Sequence, residues 1–199
     1  MGHLKKKFLF LLIIVIMGIV TGFLFSNILS NDDKKIVYQE VTNFFNNIIN
    51  DVPINYGSNF LFSIKNNFLY LIIIIVFGLS VIGLILNNFI LFFKSFLLGF
   101  ILGSIINIYL YSGIVLGIVY IFPFMIINIF AYALIISYAN LFSLKLFNVL
   151  FKKKEYNFHS LLKTYFKVSL FCLVILIISS LYETFITPFV IRLFSFLIK

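Results

Sequence analysis

The side chain with the most chemical potential in this chain is Glu183, an acid inside the apolar run that ends at Thr187-Pro188. About fifteen residues into a helix from Val168, it would lie roughly 22 Å from the inner edge of a membrane. A carboxyl at such depth must face protein or water, since an ionised group among lipid chains costs roughly 3 kcal/mol or more. Tyr109, Tyr120 and the Val119 carbonyl, freed by Pro123, are expected at similar depths. Accepting a tyrosine proton would satisfy Glu183 without a counter-ion. Three roles fit it: a structural buried hydrogen bond, a station on an ion or proton path, and a docking point for a partner. Asn107 and Asn128 are the other amides at that depth and would share such a path.

The other reactive side chains assemble no catalytic set. Asp32 and Asp33 are adjacent acids beside a membrane end, where like charges face water. His159 stands alone in a lysine-rich stretch, as a solvated side chain does. Cys172, the single cysteine, sits in an apolar run with neither a disulfide partner nor companions for a metal. There is no serine elbow, no HExxH and no Walker loop. The sequence predicts a non-enzyme with no cofactor, no metal and no catalytic residues.

The elements that must hold these groups are set by composition. Of the residues, 63% are hydrophobic and 11% charged, against roughly 25% charged in soluble domains. That excludes a soluble globule. A membrane β-barrel needs period-two alternation, but Leu71 to Phe77 is apolar at every position. The net charge of +9 would suggest nucleic acid in a soluble protein. Here the lysines sit at the ends of apolar runs and act as a topology signal, so the bilayer is the partner and nucleic acid is not. Ser95 to Leu144 contains no Asp, Glu, Lys, Arg or His. It is too long for one crossing of ~20 residues. Two helices turning at Tyr111-Ser112-Gly113 fit it.

The expected fold is all-α: a single polytopic membrane domain over residues 1–199 with five transmembrane helices. Spans are expected at about 8–30, 68–86, 95–111, 115–140 and 168–188, with an external segment at 31–67 and a cytoplasmic loop at 145–167. The run after Lys5-Lys6-Lys7 is longer than a signal peptide's apolar core and lacks a small-residue cleavage site, so it reads as a permanent span. Lys94 begins the third span, where it can snorkel to the cytoplasmic interface. In the external segment Ile36, Val37, Val41, Phe44, Phe45, Ile48 and Ile49 recur at near-helical spacing. They predict an amphipathic helix from about Asp33 to Asn50, broken by Pro53, Asn55 and Gly57. It could lie on the outer membrane surface, on the bundle's own end, or against a partner. Pro123 is expected to kink the fourth span. Pro188 is expected to stop the fifth, leaving an amphipathic tail along the outer face.

The model places Lys5, Lys6, Lys7, Lys94, Lys145, Lys152, Lys153, Lys154, Lys163 and Lys167 inside. It places Lys34, Lys35, Lys65, Arg192 and Lys199 outside. That excess predicts the N-terminus in and the C-terminus out. Small-xxx-small pairs at Gly18/Gly22, Gly99/Gly103 and Gly113/Gly117 allow close helix approach, within the chain or between copies in a homo-oligomer. Gly99, Gly103 and Asn107 share one helix face, which should point into the bundle.

The order of features carries a resemblance. A lysine-led span with Gly18–Phe25 (Gly-Ile-Val-Thr-Gly-Phe-Leu-Phe) is followed by an Asn-rich external helix. Then come Phe92–Phe100, Tyr120-Ile-Phe-Pro123 and Tyr182–Phe189 (Tyr-Glu-Thr-Phe-Ile-Thr-Pro-Phe). Over about Lys5 to Leu193 the chain resembles the stage II sporulation protein M family. That resemblance implies a five-span membrane protein of endospore formers, acting at the septum during engulfment. It would be a scaffold that anchors a peptidoglycan-degrading complex with stage II sporulation proteins P and D, which supply the hydrolytic activities. Glu183 and Pro188 match the family's fifth-span pattern. In the wider family the fourth-span proline is often followed by His-Gly and then Glu; here Phe124, Met125 and Asn128 stand in that stretch. The other reading is a small transporter or channel subunit with a polar path at Glu183.

Overall fold

The computed structural model of the chain describes residues 2–50, 52–153 and 156–197. Asp51, Lys154, Glu155 and Lys199 lie outside the described residues, as do the side chains of Lys5, Lys6 and Lys7. Among the described residues every element is helical and no strand occurs.

The first long helix, α1 (Gly2–Ile28), is apolar on all sides; Phe8, Ile16, Val20 and Phe25 are exposed. Such a helix suits a lipid surround, where the backbone bonds internally and side chains need no polar face. The chain then turns at Ser30, whose hydroxyl accepts from the Asp33 N–H at 3.2 Å and so caps α2 (Asn31–Ile49). The acids Asp32 and Asp33 occupy its first turn, where the helix dipole favours negative charge. Their role is thereby accounted for as end-stabilisation.

The amphipathic helix α2 folds onto the bundle's own end. Phe45 and Ile48 are buried beneath it. The Tyr38 hydroxyl donates to the Asn107 carbonyl at 2.8 Å, and Arg192 Nε donates to the Ile48 carbonyl at 3.1 Å. Of the three placements open to this helix, self-packing is the one observed.

The next helix, α3 (Tyr56–Gly78), begins earlier and ends sooner than the span expected at 68–86. Asn55 caps it, accepting from the Ser58 N–H at 3.1 Å, so Gly57 lies in its first turn and does not break the chain. The residues of that expected span divide between α3 and α4 (Gly83–Leu116), across a turn at 79–82. The turn is possible because Gly83 has no Cβ, which would strike the Phe77 carbonyl. The local signal for it, Leu79-Ser80 before Gly83, is weak within an apolar run.

Inside α4 the helix is broken at Leu110, with φ 50° and ψ −123°. Beyond that break the chain reverses, since Gly113 packs on the backbone of Ile105 and Ile106, and Gly117 on Leu102. The reversal sits one residue before the expected turn at Tyr111-Ser112-Gly113. A wide π turn at Gly117–Ile121 leads into α5 (Phe122–Lys152). The Asn157 cap then starts α6 (Phe158–Leu181). The expected loop at 145–167 is therefore mostly helix, with only the chain between Lys152 and Phe158 connecting the two. A second π turn, Tyr182–Ile186, leads into α7 (Thr187–Leu193) and a short 3-10 turn, Ser195–Leu197.

The two prolines share one device. Phe122 N–H reaches the Gly117 carbonyl and Thr187 N–H reaches the Tyr182 carbonyl, each five residues back. A proline lacks the N–H its helix position requires and crowds the preceding turn. Widening the turn just before it lets the helix continue. Pro188 thus does not stop the last helix: α7 carries on, with Ile191 fully buried. The tail to Leu193 is part of the bundle and not a strip along the outer face.

Contacts set the helix directions. Gly18 meets Phe92 and Ser95, while Gly103 meets Ser26, so α1 and α4 run parallel. The Tyr165 hydroxyl donates to Ile74 at 3.2 Å while Ser63 bonds Ser180, so α3 and α6 run antiparallel. Ser179 bonds the Phe124 carbonyl, and Phe142 stacks on Tyr165, so α5 and α6 also run antiparallel. All three small-xxx-small pairs are consumed inside the chain, and the face bearing Gly99, Gly103 and Asn107 meets α1.

Four runs are long and apolar enough to cross a membrane: Phe8–Ile28, Tyr56–Gly78, Gly83–Lys152 and Phe158–Leu193. The third is 70 residues long and contains the reversal at Leu110.

Candidate functional site

Two features converge on Glu183: a chain of hydrogen-bonded side chains through the middle of the bundle and a cavity under α2. The chain begins where α3 places Ser63 and Asn67 one helical turn apart on the same face. Ser63 Oγ lies 2.5 Å from Glu183 Oε2 and 3.0 Å from Ser180 Oγ. Asn67 Nδ2 donates to Ser180 Oγ at 3.0 Å. The Tyr132 hydroxyl donates to Asn67 Oδ1 at 2.9 Å. A carboxyl taken from water needs such donors, since each unpaired buried polar group costs about 1–3 kcal/mol. The second π turn carries Glu183, and Ser180 ahead of it supplies the hydroxyl that Ser63 and Asn67 both reach.

The far end of the chain is Lys94. Its ammonium lies 3.5 Å from the Tyr70 ring centroid and 5.6 Å from that of Tyr132. This overturns its expected place. With α4 starting at Gly83, Lys94 lies eleven residues into the helix, about 16 Å along it. Its side chain turns inward onto aromatic faces, where the ring quadrupole attracts a cation. Lys94 and Glu183 stand at the two ends of this series of contacts. Among the described residues they are not within ion-pair distance; the pair that is, Lys35–Asp32 at 3.5 Å, is exposed on α2.

The expectation that a tyrosine would satisfy Glu183 is also corrected: the donor is Ser63. Tyr120 is fully buried with no partner for its hydroxyl, its ring held edge-on by Phe45 at 5.2 Å. Tyr109 meets the same Phe45 ring. The three polar groups expected on one path are not brought together. Asn107 Nδ2 reaches Ser26 Oγ at 3.4 Å, and its carbonyl receives Tyr38. Asn128 keeps a buried Oδ1 with no partner. Ser63 and Asn67 were missed because residues 31–67 read as an external segment, and Tyr70, Tyr132 and Ser180 because position along a span does not tell which face packs inward. The signal that could have found them is the Ser63/Asn67 spacing opposite Ser180/Glu183.

The cavity measures about 820 Å3. Phe44 and Phe45 of α2 roof it, both π turns border it, and Glu183 and Pro188 line its far wall. Phe44 is half exposed at its mouth, whereas Phe45 is 1% exposed. Pro123 does not line it, but its neighbours Ile121 and Phe124 do. Among the described residues no cluster of His, Cys, Asp or Glu could hold a metal, and Cys172 is buried as a free thiol. The arrangement presents a carboxylate, hydrogen-bonded to Ser63, at the wall of an otherwise mostly apolar hollow.

A family model described as Stage II sporulation protein M matches residues 11–188. No curated protein and no solved structure gives a match. The matched stretch begins within α1, ends at Pro188 of α7 and takes in every residue of the polar chain between. It is the basis for assigning this helical, membrane-type chain to the stage II sporulation protein M family, to which it belongs.

Proposed function

We propose that this chain is a non-enzymatic membrane scaffold of the septal peptidoglycan-degrading machinery used in engulfment during endospore formation. Its partners would be stage II sporulation proteins P and D. Family membership supports the sporulation setting, and the family is not a known enzyme family. The observation that carries the scaffold reading is α2: its apolar face is spent on the bundle, while Lys35, Ile36 and Gln39 remain outward on a docked ledge.

In this reading five helices cross the bilayer: α1, α3, α4 up to Leu110, the run from Tyr111 through α5, and α6 with α7. The alternating directions put the start of α1 and the connection after Lys152 on one side. That is the side with Lys145, Lys152, Lys153, Lys163 and Lys167, hence the cytoplasm. The α2 ledge, the Leu110 reversal and the end of α7 face the septal space. The protein resides in the septal or engulfing mother-cell membrane.

The test is co-purification from sporulating cells with the outward face of α2 replaced (Ile36→Ser, Lys35→Glu, Gln39→Lys). Loss of both hydrolases, with the variant inserted at parental levels, is expected. Retention of both at parental levels would remove α2 as the ledge. In the same cells, Glu40→Cys should be labelled by an impermeant maleimide from outside and Glu155→Cys should not; labelling of both would end the five-span arrangement.

A further inference from the structure

The cavity under α2 has a charge pattern opposite to that of the chain. The sequence holds 15 Lys and Arg against 6 Asp and Glu. Yet among the described residues the charged side chains lining the cavity are two acids, Glu40 at the mouth and Glu183 at the wall, with no cation among them. Lys94 is held on the Tyr70 ring and does not line it. Ser63 occupies Oε2 of Glu183. The rest of the wall is mostly apolar, from Phe44, Ile105, Ile121 and Phe124, with Thr184 and Thr187 beside Glu183, while Asn47, Asn55 and Asn59 form an exposed polar rim. Tyr120 borders the hollow with a fully buried hydroxyl that no group among the described residues satisfies. A buried donor left so calls for a partner supplied by whatever enters.

The geometry points to this cavity as the seat of an apolar polypeptide segment that carries a lysine or arginine, contributed by a protein partner. This deepens the scaffold reading and rests on it. The volume, about 820 Å3, is that of a ligand-sized hollow of the 300–1,000 Å3 range. It accommodates a few large side chains. An apolar stretch fills the wall, its basic side chain pairs with Glu183 and Glu40, and a main-chain carbonyl accepts the Tyr120 proton. A phospholipid fits less well. Every phospholipid head carries a phosphate, and here it would meet two carboxylates, while the nearby Arg192 holds the Ile48 carbonyl and does not line the hollow. Lys and Arg also bury their methylene stems against apolar walls while presenting charge at the tip, which matches a greasy hollow ending in a carboxylate.

The test places a photo-reactive benzophenone amino acid in the full chain in spore-forming cells, at Phe44 and Phe62 on the cavity mouth. Ile36 on the outer face of α2 and Ile82 at the opposite end serve as reference positions. All four side chains are exposed. Expected are polypeptide adducts at 44 and 62, mapping by mass spectrometry to an apolar segment with a lysine or arginine, and none at 82. The adducts should fall at least tenfold with Glu183→Gln, which keeps the bond to Ser63. They should fall as far with Glu40→Lys, an exposed change that leaves the core intact. Protein adducts at 36 alone would leave the scaffold reading standing and overturn this one. Lipid adducts alone at 44 and 62, or polypeptide adducts undiminished by both changes, would overturn it too. Absence of protein adducts at all four positions would overturn both.

Discussion

Replacing Gly22 with alanine tests the packing on which the bundle depends. A Cβ at Gly22 would strike the Phe96 carbonyl oxygen, and would stand 2.8 Å from Phe100 N and 2.9 Å from the Phe96 carbonyl carbon. Ordinary contact begins near 3.4 Å, and these are backbone atoms that no rotamer change can move. The two helices must therefore separate by more than about half an ångström, which forfeits a quarter to a half of each dispersion well along the seam. The Asn107–Ser26 bond, already 3.4 Å, would be lost with it. Overpacking costs about 1–3 kcal/mol, and one hydrogen bond about 1 kcal/mol. Against this, Gly→Ala in a helix returns about 1 kcal/mol. The net expectation is a loss of about 1–3 kcal/mol. Gly57→Ala is the control: its nearest neighbour would be Asn55 Oδ1 at 3.7 Å, so it should be neutral or stabilising. The assay is reversible unfolding in mixed micelles, followed by tertiary fluorescence of the purified protein. Because Gly99 presses on the Ile19 backbone in the same seam, Gly22→Ala with Gly99→Ala should cost less than the sum of the singles. Equal stability of Gly22→Ala and Gly57→Ala would refute the close-approach reasoning.

Two further outcomes follow from the same structure. Lys94→Cys should resist an impermeant maleimide from both sides of the membrane, since position 94 turns onto Tyr70, while Ser112→Cys at the reversal is labelled; ready labelling at 94 from the cytoplasm would restore the snorkelling placement. Leu110→Gly should stabilise the protein by about 1 kcal/mol, because a positive φ strains any side chain and this one is 68% exposed with little packing to lose; a destabilised variant in the same unfolding assay would contradict that.

Much of this architecture was written in the chain one segment at a time. The apolar runs dictated helices, because a backbone in hydrocarbon must bond to itself. The spacing from Ile36 to Ile49 dictated an amphipathic helix, and the uncharged length from Ser95 to Leu144 dictated a reversal near Tyr111. What the sequence left open was register and pairing, which are long-range properties. Lys94 read as an interfacial lysine because no local signal announces the turn before Gly83; moving that turn put the lysine mid-helix. The Glu183 donor read as a tyrosine because depth along a helix says nothing of azimuth. Only the packed bundle brought Ser63, with Ser180 behind it, to the acid and left the Tyr120 hydroxyl without a bond to it. Likewise, each proline by itself predicted a break or kink. Whether a helix stops or widens by one residue and goes on depends on the burial awaiting it beyond, and for Pro188 that was the pocket that receives Ile191.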